Sequence, residues 1–119
     1  MQVLLVDDEK ELISTLAERL SFRGIEADWV TSGEEALKKI KEKNYDIAVL
    51  DIKMPGLSGI DLGRKIRDIK PDLKVIFVTG HGSAADFEAG TAQSGRDFYL
   101  AKPINIDLLI EKMHEALKQ

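Results

Sequence analysis

The chain has 119 residues, with 17 Lys or Arg against 21 Asp or Glu, for a formal net charge of −4. That length suits one compact domain with its own core, and the acidic balance argues against direct contact with nucleic acid. With no cysteine, disulfides, thiolate metal sites and cysteine nucleophiles are excluded, while no apolar run approaches the roughly 20 residues of a membrane span.

The start, Met1-Gln2-Val3-Leu4-Leu5-Val6, is apolar but meets Asp7-Asp8 at once, so it reads as a strand and not as a signal peptide. Leu12, Ile13, Leu16, Ala17 and Leu20 then form the stripe of a first helix, with Asp8…Glu11 as its capping box and Gly24 as its stop. A second strand is expected over Ala27-Asp28-Trp29-Val30. A second helix follows on Ala36, Leu37 and Ile40, opened by Ser32…Glu35 and closed by Asn44. The third strand, Ile47-Ala48-Val49-Leu50, runs into Asp51. The third helix carries Leu62, Ile66 and Ile69, between a looser Ser58…Asp61 start and Pro71. The fourth strand, Val75-Ile76-Phe77-Val78, ends in Thr79.

The segment from Ser83 to Ser94 is the weakest helix. Ser83…Asp86 is again a looser start, Phe87 is the large apolar anchor, and Gly90 interrupts at a cost of about 1 kcal/mol relative to Ala. Phe98-Tyr99-Leu100 predicts a fifth strand running into Lys102-Pro103, and Ile106, Leu109, Met113 and Leu117 stripe the last helix. The first, third and fourth strands are apolar throughout, as strands covered on both faces are.

Strand and helix alternate five times, which predicts an α/β domain over residues 1–119 with a parallel sheet and helices on both faces. Ligands of such sheets bind beyond the carboxyl ends of the strands. Asp7, Asp8, Asp51, Thr79 and Lys102 all fall there. Crowded carboxylates repel unless a cation lies among them. Oxygen ligands without histidine or cysteine suit Mg²⁺. Lys102 offers a compact positive charge, Thr79 a hydroxyl, and Gly80 and Gly82 leave room for a bulky group. Together these groups can place a phosphoryl group on the Asp51 carboxylate as a mixed anhydride. Singly, each has an ordinary explanation: an Asp as helix cap, a Thr as strand former, a Lys-Pro as surface turn.

Other features read as structural. Lys38, Lys39, Lys41 and Lys43 form a solvated face. His81 and His114 lack partners at metal-binding spacing. Trp29 is a packing residue, and Gly80-His81-Gly82 is a turn without the ending of a nucleotide-binding loop.

Val6-Asp7-Asp8-Glu9, Leu50-Asp51-Ile52-Lys53-Met54-Pro55-Gly56, Val78-Thr79-Gly80 and Tyr99-Leu100-Ala101-Lys102-Pro103 closely resemble the receiver domain of two-component response regulators, the chemotaxis-regulator-like family. The resemblance covers nearly the whole chain, in order. It implies a (βα)5 doubly wound sheet of flavodoxin-like strand order 2-1-3-4-5. It implies phosphorylation at Asp51 with Mg²⁺, Asp8 as a direct metal ligand, Asp7 acting mainly through water, and the backbone carbonyl of Lys53 as a further ligand. Lys102 would pair with the phosphoryl group, and Thr79 would hydrogen-bond it and move. Tyr99 matches the aromatic that turns inward. The implied donor is a sensor histidine kinase or a histidine phosphotransfer domain. The implied output face is the fourth helix, fifth strand and fifth helix.

The stretch from Thr79 to Lys102 runs slightly longer than the family's, and Arg96 stands where a small residue usually follows Gly95. The main alternative is an Mg²⁺-dependent phosphatase-like enzyme with an aspartyl nucleophile. Such enzymes place a second acid where this chain has Lys53. A flavin binder would need a phosphate-cradling loop in place of Asp7-Asp8-Glu9, and the intact acid set argues against a bare interaction module. The reading is therefore a phospho-acceptor domain and not an enzyme in its own right, cytoplasmic, away from membranes, with the output partner or effector domain unknown and a homodimer left open. A stand-alone regulator, an excised domain and the receiver part of a hybrid kinase all fit the sequence.

Overall fold

The computed structural model describes residues 1–80 and 83–119. The sequence readings of His81 and Gly82 lie outside the described residues. Among the described residues five strands alternate with five helices: β1 (Gln2–Val6), α1 (Lys10–Ser21), β2 (Glu26–Val30), α2 (Gly33–Glu42), β3 (Ile47–Asp51), α3 (Gly59–Ile69), β4 (Lys74–Thr79), α4 (Ala84–Ser94), β5 (Tyr99–Ala101) and α5 (Ile106–Leu117). All strand pairs are parallel, in the order β2-β1-β3-β4-β5. This is the expected doubly wound, flavodoxin-like architecture.

The apolar strands feed two cores, one on each face. Val3, Leu5, Val49, Ile76 and Val78 meet Leu16 and Leu20 of α1 and Leu109 and Met113 of α5. Leu4, Val6, Leu50 and Phe77 meet Ile40 of α2 and Leu62 and Ile66 of α3. Continuous runs such as Val3–Val6 are thus consumed alternately by the two faces. Trp29 packs against the first core, as expected of a packing residue.

Several local expectations need correction. Asp8 does not cap α1. The N-cap is Glu9, without a side-chain cap bond, and the Asp7 carboxylate accepts the Glu9 N–H at 2.9 Å. The reciprocal capping box is at Ser83 and Asp86, the pair read as looser. Ser32 and Ser58 accept only from the N3 backbone. Asn44 does stand just beyond α2, directly after the extended C-cap Lys43, but without the left-handed conformation of a helix-ending Asn. Leu12, Ile69 and Leu117 lie on the rims of their stripes and stay exposed, and Ala116 takes the last inward place of α5. Phe98 forms a single turn of 3-10 helix with Arg96 and Asp97 ahead of β5, and its buried ring joins the α1/α5 core.

Phe87 is not the anchor of α4. It is 40% exposed, and the buried residue of that helix is Gly90. A Cβ on Gly90 would come within 2.7 Å of the Tyr99 ring. The glycine that weakens the helix is what lets Tyr99 lie beneath it.

Candidate functional site

Register brings the polar residues together. Val6 of β1 pairs with Leu50 of β3, so Asp7 and Asp51 emerge side by side at the carboxyl edge. Asp51 pairs with Val78, and Thr79 with Ala101, so Thr79 and Lys102 extend the same edge. The start of α3 is pulled close to this edge: the Gly59 N–H donates to the Ile52 carbonyl at 3.0 Å. A Cβ at Gly59 would collide with the Asp51 backbone carbonyl.

Asp7 and Asp51 are buried, at 2% and 5% exposure, and Asp8 faces solvent. Each of the three offers a carboxylate oxygen within 4.8 Å of the others. Lys102 enters from the other side. Its Nζ lies 2.9 Å from Asp7 Oδ2, 3.4 Å from Glu9 Oε1 and 3.5 Å from Asp51 Oδ1. Its backbone N–H donates to the Thr79 carbonyl at 2.9 Å, tying β5 to the end of β4. Thr79 itself is buried. Gly80 leaves only ordinary van der Waals space beside the Lys102 stem.

Burial, chiefly, pushes the Asp51 carboxyl up to about 6. The charges of Asp7 and then Asp8 add to this, and Lys102 opposes it. Burial pulls Lys102 down, but the hydrogen bond to Asp7 and the charges of Asp51, Asp7 and Glu9 outweigh it, so the ammonium titrates above its usual range. One lysine faces four acids, so the pocket carries excess negative charge. Hard carboxylate oxygens at this separation fit a divalent cation such as Mg²⁺, which would balance that excess.

Tyr99 lies outside the acidic pocket. Its ring pairs with Thr79's strand neighbour Phe77 at 6.5 Å and meets Phe87 edge-on at 5.1 Å. The hydroxyl is buried without a hydrogen-bond partner among the described residues. Burial, then the charge of Asp86, raises its pKa, with Lys53 opposing. The Lys53 side chain turns away from the acids, and its Nζ pairs with Asp86 at 2.9 Å.

Sequence reasoning missed two participants. Glu9 was visible in the Asp-Asp-Glu run but was given no role. The Lys53–Asp86 pair joins positions whose nearness only the fold reveals. Of the basic run, Lys38, Lys39 and Lys41 are exposed as expected. Lys43 is exposed as well and also pairs with Asp28 at 3.0 Å, and Asp28 accepts the Tyr45 hydroxyl at 2.6 Å.

A doubly wound parallel sheet with an acidic pocket at its carboxyl edge defines the class of protein. The narrower assignment comes from comparison with known proteins. Residues 3–114 match the family model of the response regulator receiver domain, and the chain belongs to that family. The response regulator MprA of Mycobacterium avium is 34% identical over 119 residues, which cover 100% of this chain and 52% of that protein. The chain thus spans about half the length of such curated relatives. A CheY-like receiver domain from Methanospirillum hungatei superposes with a TM-score of 0.89 at 32% identity, covering 98% of this chain and 93% of the other. TrrA of Thermotoga maritima, in complex with Mg²⁺-BeF, is 39% identical with a TM-score of 0.84 and 98% coverage of both chains.

The chain is therefore a receiver domain of two-component signalling, and the phosphatase-like alternative finds no support in these relatives. Among the described residues no helix is long and apolar enough to cross a membrane.

Proposed function

We propose that Asp51 is the phospho-acceptor of this receiver domain. The observation that carries this is the buried Asp51 carboxylate, with Lys102 Nζ 3.5 Å away and Asp7 and Asp8 within 4.8 Å. An Asp51 oxygen attacks phosphorus in line, the P–N bond of a donor phosphohistidine breaks, and the imidazole leaves with the bonding pair. Lys102 exchanges part of its pairing with Asp7 and Glu9 for the phosphoryl oxygens, and Thr79 donates its hydroxyl to one of them. Asp7, Asp8, Asp51 and the Lys53 carbonyl would hold Mg²⁺, which supplies neutralisation of the charge on the transferring group.

The donor is a sensor histidine kinase or phosphotransfer domain. The family and the TrrA complex support that reading and the choice of Mg²⁺. Thr79 and Tyr99 form the switch, and α4, β5 and α5 form the output face. Residues 1–119 act as one domain in the cytoplasm, serving an output partner or effector domain without contacting nucleic acid or membrane directly. The domain contributes to its own phosphorylation and dephosphorylation without acting on other substrates.

Acetyl phosphate with Mg²⁺ tests the assignment. Intact mass should rise by a single phosphoryl group, and a peptide map should place it on Asp51. Modification that persists in Asp51→Asn, or that survives EDTA, overturns it.

A further inference from the structure

The contacts that hold α4 are unlike those of the other helices. Its buried residue is a glycine, so little apolar area fastens it to the sheet. Its C-terminal half is held by polar contacts: Gln93 donates to the Ile60 carbonyl at 3.0 Å, and Arg67 donates to the Gln93 carbonyl. Its first turn is held differently. Asp86 donates its N–H to Ser83 Oγ at 3.0 Å, and its Oδ2 accepts the Ser83 N–H at 3.3 Å. That same Oδ2 takes the Lys53 ammonium at 2.9 Å. One carboxylate oxygen therefore serves both the helix cap and an ion pair to the loop after β3.

The other end of the pair is fixed to the acceptor. Lys53 stands two residues beyond Asp51. The intervening Ile52 is buried, donates its N–H to the Val78 carbonyl at 3.1 Å and accepts from Gly59 at 3.0 Å. A displacement of the Asp51 loop is carried to the base of Lys53 with little slack. The pair spans an open groove lined by Ile52, Lys53, Met54, Pro55, Ser58 and Asp86. The Tyr99 hydroxyl lies within the field of both charges.

We propose that the Lys53–Asp86 ion pair is a latch fastening the first turn of α4 to the phospho-acceptor loop, and that it sets how readily α4 rearranges when Asp51 is modified. Lys53 and Asp86 are positioning residues here, acting through the helix. The regulatory half rests on the phospho-acceptor reading above. The side chains are 58% and 24% exposed, so the effect is modest and salt-sensitive.

Hydrogen exchange of residues 84–94 in the whole domain, read against α5, tests the latch. Lys53→Gln leaves the Ser83–Asp86 cap intact, so it separates the ion pair from capping. It should speed α4 exchange about two- to fivefold and leave α5 unchanged. Lys53→Arg should restore the slower rate. Added salt should speed α4 in the unaltered chain and have little effect in Lys53→Gln. After treatment with acetyl phosphate and Mg²⁺, Asp86→Asn, whose amide oxygen can still accept the Ser83 N–H, should be modified on Asp51 like the unaltered chain, but with a smaller change in α4 exchange. Unchanged α4 exchange in Lys53→Gln, or acceleration that Arg does not reverse, overturns the latch. An equal phosphorylation-induced change in Asp86→Asn and the unaltered chain overturns its regulatory role. Failure to modify Asp51 in the unaltered chain sinks the phospho-acceptor reading, while the unmodified variants still decide whether the pair fastens the helix.

Discussion

Helices α4 and α5 flank the short strand β5, with 11 and 12 residues respectively, yet they are held by different physics. α5 drives Ile106, Leu109, Met113 and Ala116 into the core. Asn105 caps it by accepting the Leu108 N–H at 3.0 Å. α4 buries Gly90, packs the half-buried Ala89 against the α2/α3 core, and is fastened further by a capping box, an ion pair, two side-chain-to-backbone bonds and the edge of one aromatic ring. Helices in proteins owe most of their stability to packing of an apolar face. A helix held by polar contacts can be displaced without opening the core, which suits the rearrangement proposed for α4.

The largest expected effect breaks the stronger side of this contrast. Leu109 is fully buried, and Leu109→Ala should cost about 2 to 4 kcal/mol of global stability through lost burial and a residual cavity. Urea denaturation with an unchanged m-value would show it. A loss below about 1 kcal/mol would mean that α5 is no better anchored than α4.

The next effect comes from the acidic edge that feeds both helices. Asp51 has a folded pKa raised to about 6 from an ordinary value of 3.8. Between those values the unfolded chain loses its proton first, so the metal-free fold loses stability as pH rises from about 4 to about 6 and gains none back above that. Asp51→Asn should therefore raise metal-free stability at pH 7 by about 1 to 2 kcal/mol, and the gain should vanish below about pH 4. Thermal unfolding in EDTA across this range would check it. Because the crowded acids sit at the loops and not under the helices, the α4/α5 difference in exchange should survive the substitution.

Gly90 sharpens the contrast from the weak side. In an open helix, Gly→Ala stabilises by about 1 kcal/mol. Here the new Cβ would fall within 2.7 Å of the Tyr99 ring, and either the ring or the helix must shift. Gly90→Ala is therefore expected to be neutral or destabilising by about 1 kcal/mol, with altered Tyr99 ring resonances. A full gain in stability with Tyr99 unmoved would show that the ring does not depend on the gap.

The fold and the acidic edge were legible because both follow from near-neighbour patterns. Apolar runs such as Ile47–Leu50 declared buried parallel strands, and the parallel order then obliged Asp7, Asp51, Thr79 and Lys102 to meet. What was not legible depends on distances between elements. Nothing local says that Lys53 reaches Asp86, or that Glu9 shares Lys102 with Asp7. Within α4, the choice of Phe87 as anchor failed for a related reason. Residue type ranks Phe87 as the anchor and Gly90 as a flaw, whereas the helix turns Gly90 toward the sheet and leaves Phe87 at the rim. The capping of α1 was misplaced because Asp7, buried beside Lys102, bonds the Glu9 N–H in the place that the pattern gave to Asp8.

The smallest expected effect bears on that correction. Phe87 is 40% exposed. It meets Tyr99 edge-on at 5.1 Å, and Arg96 lies over its ring at 5.9 Å. If Phe87 anchored α4, its removal would cost what a buried aromatic costs, about 3 kcal/mol or more. As a rim residue it forfeits one aromatic pair and one exposed cation–π contact, together about 1 kcal/mol at most. Phe87→Ala should lower global stability by no more than that, since Gly90, Gln93 and the Lys53–Asp86 pair remain in place. Its effect on local opening should be larger in proportion, because α4 has so few apolar contacts to lose. Amides after residue 87 should exchange severalfold faster while α5 is unchanged. A global loss near the anchor value, felt equally in both helices, would restore Phe87 to the role its side chain suggests.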